Sequence, residues 1–117
     1  MVSGGWVTQA DRARWQRQAV RELAAILGDC GGLPLIAWTV SPSGGGLSGR
    51  VACPGSAAGA RAAFAAWQHA LGMSDVLEAP AAGGSWLRAS TWRGGVRVTV
   101  TAAVPGDGGR GGQAVSS

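Results

Sequence analysis

The side chains in this chain that can hold or move charge are ten arginines, six carboxylates, one histidine and two cysteines, set among six tryptophans. An arginine next to a tryptophan can pair its guanidinium with phosphate or carboxylate, or stack on the ring. Arg50, Trp86, Arg88, Trp92 and Arg97 interleave the two types. Basic residues and flat rings mixed on an open sheet are how several single-strand-binding modules hold nucleic acid, with Arg on phosphate and a ring on a base. A second basic series, Arg14, Arg17 and Arg21, has helical spacing. It can track a phosphate backbone, although charge opposite an apolar stripe is what any surface helix shows.

Catalytic patterns are absent. His69 is the one histidine, and no neighbour in sequence would fix its tautomer for acid–base work. Asp75 and Glu78 fit one helical turn, but after Ser74 they equally form a capping pattern. Cys30 and Cys53 lack CxxC spacing and a companion histidine, so no metal site is read. They are expected to be reduced and packed, although a hairpin placing Cys53 opposite Pro34 makes a disulfide conceivable. The glycines of residues 43–50 lead into a strand and lack the GKS/T ending of a phosphate loop. The lone Gly-Gly-Arg-Gly-Gly around Arg110 is a single copy and no signal. The expectation is a non-enzymatic protein with no cofactor.

Several elements must position these residues. Thr8 to Leu27 carries Trp15, Ala19, Leu23, Ile26 and Leu27 on one side, with Val20 at the edge. Thr8 with Asp11 makes an N-cap, and Gly28 is the expected stop. Leu35–Val40 and Leu47–Cys53 alternate like strands about a turn. Pairing Val40 with Leu47 sets Ile36 opposite Val51 and Trp38 opposite Gly49, which leaves room for the indole. A second helix runs from Ser56 to Leu71, burying Ala60, Ala63, Phe64, Trp67 and Leu71, with Gly72 ending it. Trp86–Trp92 and Val96–Val104 then pair about Gly94-Gly95. That register sets Leu87, Ala89 and Thr91 opposite Ala102, Val100 and Val98. Residues 75–84 are open between helical turn, edge strand and loop.

The predicted order is α-β-β-α-β-β, a two-layer α+β domain over residues 8–104 with two helices on one face of a mainly antiparallel four-stranded sheet. Residues 1–7 form an arm and residues 105–117 a flexible Gly-rich tail. Trp15, Trp38 and Trp67 point toward the helix–sheet interface, where each buries roughly 150–250 Å². The registers turn Arg50, Trp86, Arg88, Trp92 and Arg97 to the opposite face, with Trp92 across from Arg97 in a geometry that suits a cation–π contact.

Composition agrees with a small compact protein. The 117 residues suffice for one domain, 46% are hydrophobic, and 14% are charged against roughly 25% in an average domain. Intrinsic disorder is excluded on that ground. The longest apolar run, Leu33–Val40, is far short of a membrane helix, and no signal peptide is read at the start, so a soluble cytoplasmic protein is expected. Every basic residue is arginine, while lysine, asparagine and tyrosine are absent. That is the mark of a G+C-rich genome, so the net charge of +4 permits an acidic partner without requiring one.

Several stretches carry a resemblance: Arg14–Leu23, the following Leu-Pro-Leu-Ile-Ala-Trp-Thr-Val, Phe64–Gly72 and the terminal Val-Arg-Val-Thr-Val-Thr-Ala. Across residues 8–104 the chain resembles small uncharacterised proteins of Streptomyces and related actinobacteria, some carried on mobile elements or phages. These are hydrophobic-pattern motifs, so the resemblance implies a shared fold and no catalytic residue. The function expected is self-association, as a homodimer, or docking on another protein through the open sheet face. Nucleic-acid binding by the same arginines and tryptophans is the alternative. A small-molecule pocket between sheet and helices is a third.

Overall fold

The computed structural model describes residues 8–41, 46–52 and 55–106. The first helix, α1 (Gln9–Asp29), opens on Thr8, whose hydroxyl accepts from the Asp11 N–H at 3.0 Å while the Asp11 carboxylate accepts from the Thr8 N–H at 3.2 Å. This is the reciprocal capping box expected of Thr8 and Asp11. Gly28 does not stop the helix. It lies inside α1, which closes at Cys30 with that residue's N–H on the Ile26 carbonyl at 2.8 Å.

Strands β1 (Ile36–Val40) and β2 (Gly46–Val51) pair antiparallel in the expected register, Trp38 opposite Gly49. Helix α2 (Ala57–Ala70) starts at Ser56, whose hydroxyl accepts from the Gly59 N–H at 2.9 Å. At its end the Met73 N–H donates to the Gln68 carbonyl and the Gly72 N–H to the His69 carbonyl, with Gly72 at φ +67°. That left-handed closure is the stop predicted there. Strands β3 (Leu77–Ala81), β4 (Gly84–Arg93) and β5 (Val96–Pro105) complete the chain. The β4–β5 turn, Gly94-Gly95, takes φ +55° and +80°, the two positive values of a tight hairpin.

The class is α+β, with two helices and a five-stranded mixed sheet in the order β1-β2-β5-β4-β3. The sheet is mainly antiparallel, as expected, but it has five strands instead of four and one parallel pairing. Of the three readings open for residues 75–84, the edge strand holds: Leu77–Ala81 is a fifth strand, antiparallel to β4, in which Pro80 is tolerated because the strand is at an edge. The two hairpins join through a parallel pairing of β2 with β5. The most apolar strand, β5, thereby occupies the centre, with Val96, Val98, Val100, Ala102 and Val104 all buried.

The core lies between this sheet face and the helices. It takes Ala19 and Ile26 from α1, Ala60, Phe64 and Trp67 from α2, and Leu47, Val51, Leu87 and Ala89 from the strands. Trp67 donates its indole N–H to the Pro34 carbonyl at 2.9 Å and meets Trp38 edge to face, ring centroids 5.7 Å apart. Trp15 is half-buried and outside this core set, and Val20 and Leu27 are exposed, so the apolar stripe of α1 is narrower than its spacing suggests. Cys30 packs half-buried against the core. Of the tail expected over residues 105–117, Pro105 ends β5 and the Gly106 N–H donates to the Gly83 carbonyl. Cys53, the arm 1–7 and residues 107–117 lie outside the described residues, and with them the disulfide and the flexibility of the rest of the tail. Among the described residues no helix is long and apolar enough to cross a membrane.

Candidate binding site on the open sheet face

Side chains alternate across a strand, so the register that buries Val98, Val100 and Ala102 turns Arg97, Thr99, Thr101 and Ala103 outward. Their neighbours follow from pairing. Arg50 on β2 and Arg88 on β4 flank Thr101, two strand spacings or roughly 10 Å apart. Leu77 on β3 extends that row beyond Arg88. Trp86 stands beside Ala103, and Trp92 beside Arg97. The Ser90 and Thr99 hydroxyls hydrogen-bond across the middle at 3.0 Å. All five residues expected on this face are on it.

The Arg–Trp stacking differs from expectation. Trp92 and Arg97 are opposed in register, but no cation–π contact forms between them among the described residues. Arg50 supplies it instead, its guanidinium carbon 5.0 Å from the centroid of the Trp86 ring. Arg50 reaches diagonally over β5, where Thr101 and Ala103 are short enough to let it pass. Trp86 is half-buried, while Trp92 keeps 67% of its surface exposed.

Arg88, Trp92 and Arg97 share a cleft of about 480 Å³ with Asp75, Leu77 and Ser90. It forms where β3 begins, because β3 pairs with β4 along Gly84–Arg88 and, among the described residues, no strand pairs with that edge of β4 beyond Arg88. Asp75 and Leu77 did not emerge from the sequence as site residues. Placing them requires the β3 register, which the apolar pattern of the chain does not carry.

The acids are elsewhere engaged. Asp11 binds Arg14 at 2.9 Å, and Glu22 and Asp29 approach Arg93 at 3.6 and 3.9 Å. Glu78 holds Arg61 through two hydrogen bonds of 3.1 and 2.8 Å. The hydrogen bond from the Thr8 backbone, then that from its side chain, holds the Asp11 carboxyl below its ordinary range. The Arg61 hydrogen bond does the same for Glu78. Among the described residues Asp75 is the carboxylate left on the open side, and none of Arg50, Arg88 and Arg97 is in an ion pair. The face is therefore cationic.

Arg14, Arg17 and Arg21 are exposed on α1, in the other layer of the molecule. Arg17 and Arg21 border a shallow groove of about 490 Å³ with Ala13, Gln16 and Val20. Arg14 is committed to Asp11. The structure does not bring this row together with the sheet arginines. His69 is exposed near the end of α2, and among the described residues no group of three His, Cys, Asp or Glu side chains is placed to hold a metal ion.

No protein-family model, no curated protein and no solved structure matches this chain.

Proposed function

We propose that this chain is a small binding module without catalytic chemistry, whose open sheet face holds single-stranded nucleic acid. One observation carries the reading. Arg50, Arg88 and Arg97 are in no ion pair among the described residues, and they share a face with an exposed ring, Trp92, and a braced one, Trp86. Phosphates meet guanidinium groups and bases meet rings, a combination that tolerates sequence because every base has a π-face. Ser48, Thr99 and Thr101 add hydroxyls between the arginines.

The test is fluorescence anisotropy with labelled single-stranded and duplex oligonucleotides over a range of salt. Binding of single strands that weakens steeply with salt supports the reading. Loss of that binding in Arg88→Glu/Arg97→Glu places it on this face. Absence of binding at low salt overturns it.

Self-association is the second reading, and the exposed apolar side chains of Leu77 and Trp92 on this face favour it. A two-fold dimer through this face sets each patch against its own copy. Three arginines then meet three arginines, with one Asp75 per chain to offset them, and like charges brought together oppose association. An unchanged dimeric mass by light scattering at low and high salt would reverse this ranking.

A further inference from the structure

The cleft beside Trp92 contains two kinds of charge that do not neutralise each other. Arg88 and Arg97 line it, and so does Asp75, yet Asp75 forms no ion pair with either among the described residues. Opposite charges facing one empty space suit a ligand that is anionic at one end and a hydrogen-bond donor at the other. The exposed Trp92 ring adds a flat stacking surface, and the volume of about 480 Å³ is within the usual range for a small-ligand site, roughly 300–1,000 Å³.

We infer that this cleft is a base-selective subsite for a guanine nucleotide within the bound strand. The inference rests on the nucleic-acid reading above and adds a preference to it. A carboxylate has two acceptor oxygens and, when ionised, no donor. Guanine presents two adjacent donors on its Watson–Crick edge, the ring N1–H and the exocyclic N2 amino group, which a carboxylate takes in a two-bond fork. Adenine and cytosine present an amino group next to a ring nitrogen acceptor, and thymine presents one N–H between two carbonyls. In those three the second carboxylate oxygen meets another acceptor. Asp75 therefore reads the base edge, Trp92 stacks on its face, and Arg88 and Arg97 take the flanking phosphates. Leu77, 66% exposed, gives the cleft an apolar wall.

The experiment compares four labelled oligothymidylate strands with a central dG, dA, dC or dT, each titrated at one low salt concentration. The dG strand is expected to bind roughly tenfold tighter than the other three, as one two-bond base contact provides. Asp75→Asn, at an exposed position, is expected to bring the dG strand to the affinity of the others without weakening the dT strand. Equal affinity for all four strands overturns the inference and leaves the nucleic-acid reading standing. A dG preference that survives Asp75→Asn also overturns it, because the selection then lies elsewhere. No binding to any strand overturns the nucleic-acid reading itself, and the inference with it.

Discussion

Gly49 and Trp38 face each other across the β1–β2 pair, and the indole occupies the space where a side chain at position 49 would begin. A Cβ there would stand 2.9 Å from Cζ3 of Trp38 and 2.8 Å from Cδ1 of Ile36. The absent side chain is what lets a large ring lie flat against a strand and still reach the edge of Trp67. A chain this rich in glycine seats its large rings partly by omitting side chains opposite them.

Gly49→Ala should therefore destabilise the fold by about 1–3 kcal/mol, the usual cost of overpacking. Urea unfolding followed by Trp fluorescence reads it. In a Trp38→Leu/Ile36→Val background the same substitution should cost clearly less, because both colliding groups are then gone. Gly28→Ala should act oppositely. It lies inside α1 with nothing within 4 Å of an added Cβ, so alanine should stabilise by about 0.5–1 kcal/mol. A Gly28→Ala protein no more stable than the parent would contradict the continuous helix.

The three tryptophans assigned to the core should not be equivalent. Trp67 is buried and hydrogen-bonded to Pro34, so Trp67→Ala should cost about 3–5 kcal/mol. Trp15 is half-buried and outside the core set, so Trp15→Ala should cost less than about 1.5 kcal/mol. Equal losses in thermal or urea unfolding would place Trp15 in the core after all.

The contrast shows which parts of the structure are legible in the sequence. Both hairpin registers are, because within a hairpin the turn and one buried face allow a single pairing. Trp38 opposite Gly49 and Arg93 opposite Val96 follow from that alone. Helix caps are local and equally legible at Thr8 and Ser56. The β3 strand is not. Leu-Glu-Ala-Pro-Ala has no β-branched residue, its first four residues are exposed, and its pairing is settled by β4 and by Glu78 reaching Arg61. The β2–β5 joint is a long-range choice made by packing. Hence the arginines and tryptophans of the open face could be named from sequence, whereas the cleft between Asp75, Trp92 and Arg97 could not.

Acid should loosen the two ends of the helix layer. The Asp11 and Glu78 carboxyls titrate below their ordinary values of 3.8 and 4.5 in the folded chain, Asp11 through the Thr8 hydrogen bonds and Glu78 through Arg61. The unfolded chain thus binds protons at a higher pH than the folded one. Their contribution to stability is fully present above the ordinary carboxylate range and is lost as pH falls through the lowered values. Thr8→Ala should cost about 0.5–2 kcal/mol at neutral pH as a lost cap. It should also make the acid limb of stability against pH shallower by the hydroxyl's share alone, because residue 8 keeps the backbone N–H that lowers the Asp11 carboxyl most; urea midpoints at neutral pH and at about pH 3 would reveal this. An acid limb identical to that of the parent would mean that the Thr8 hydroxyl does not contribute to it, the backbone N–H of residue 8 being kept in the variant.

Two basic surfaces are present, and single-strand binding should distinguish them by its salt dependence rather than by its strength. Any lost arginine weakens attraction to a polyanion at a fixed salt concentration, wherever it sits. The slope of log affinity against log salt instead counts phosphates contacted, at about 0.7 each for a single strand. Arg88→Gln and Arg97→Gln should each reduce the slope by about that amount. Arg14→Gln and Arg17→Gln should leave it unchanged, Arg14 being already paired with Asp11. Arg50→Gln combines two effects, since Arg50 also stacks over Trp86 and helps fix that ring. It should lower the slope and additionally shorten the lifetime of the complex in stopped-flow dissociation, which Arg97→Gln should do less. If the helix pair changes the slope and the sheet pair does not, the strand lies on α1 and the open sheet face is left to a protein partner.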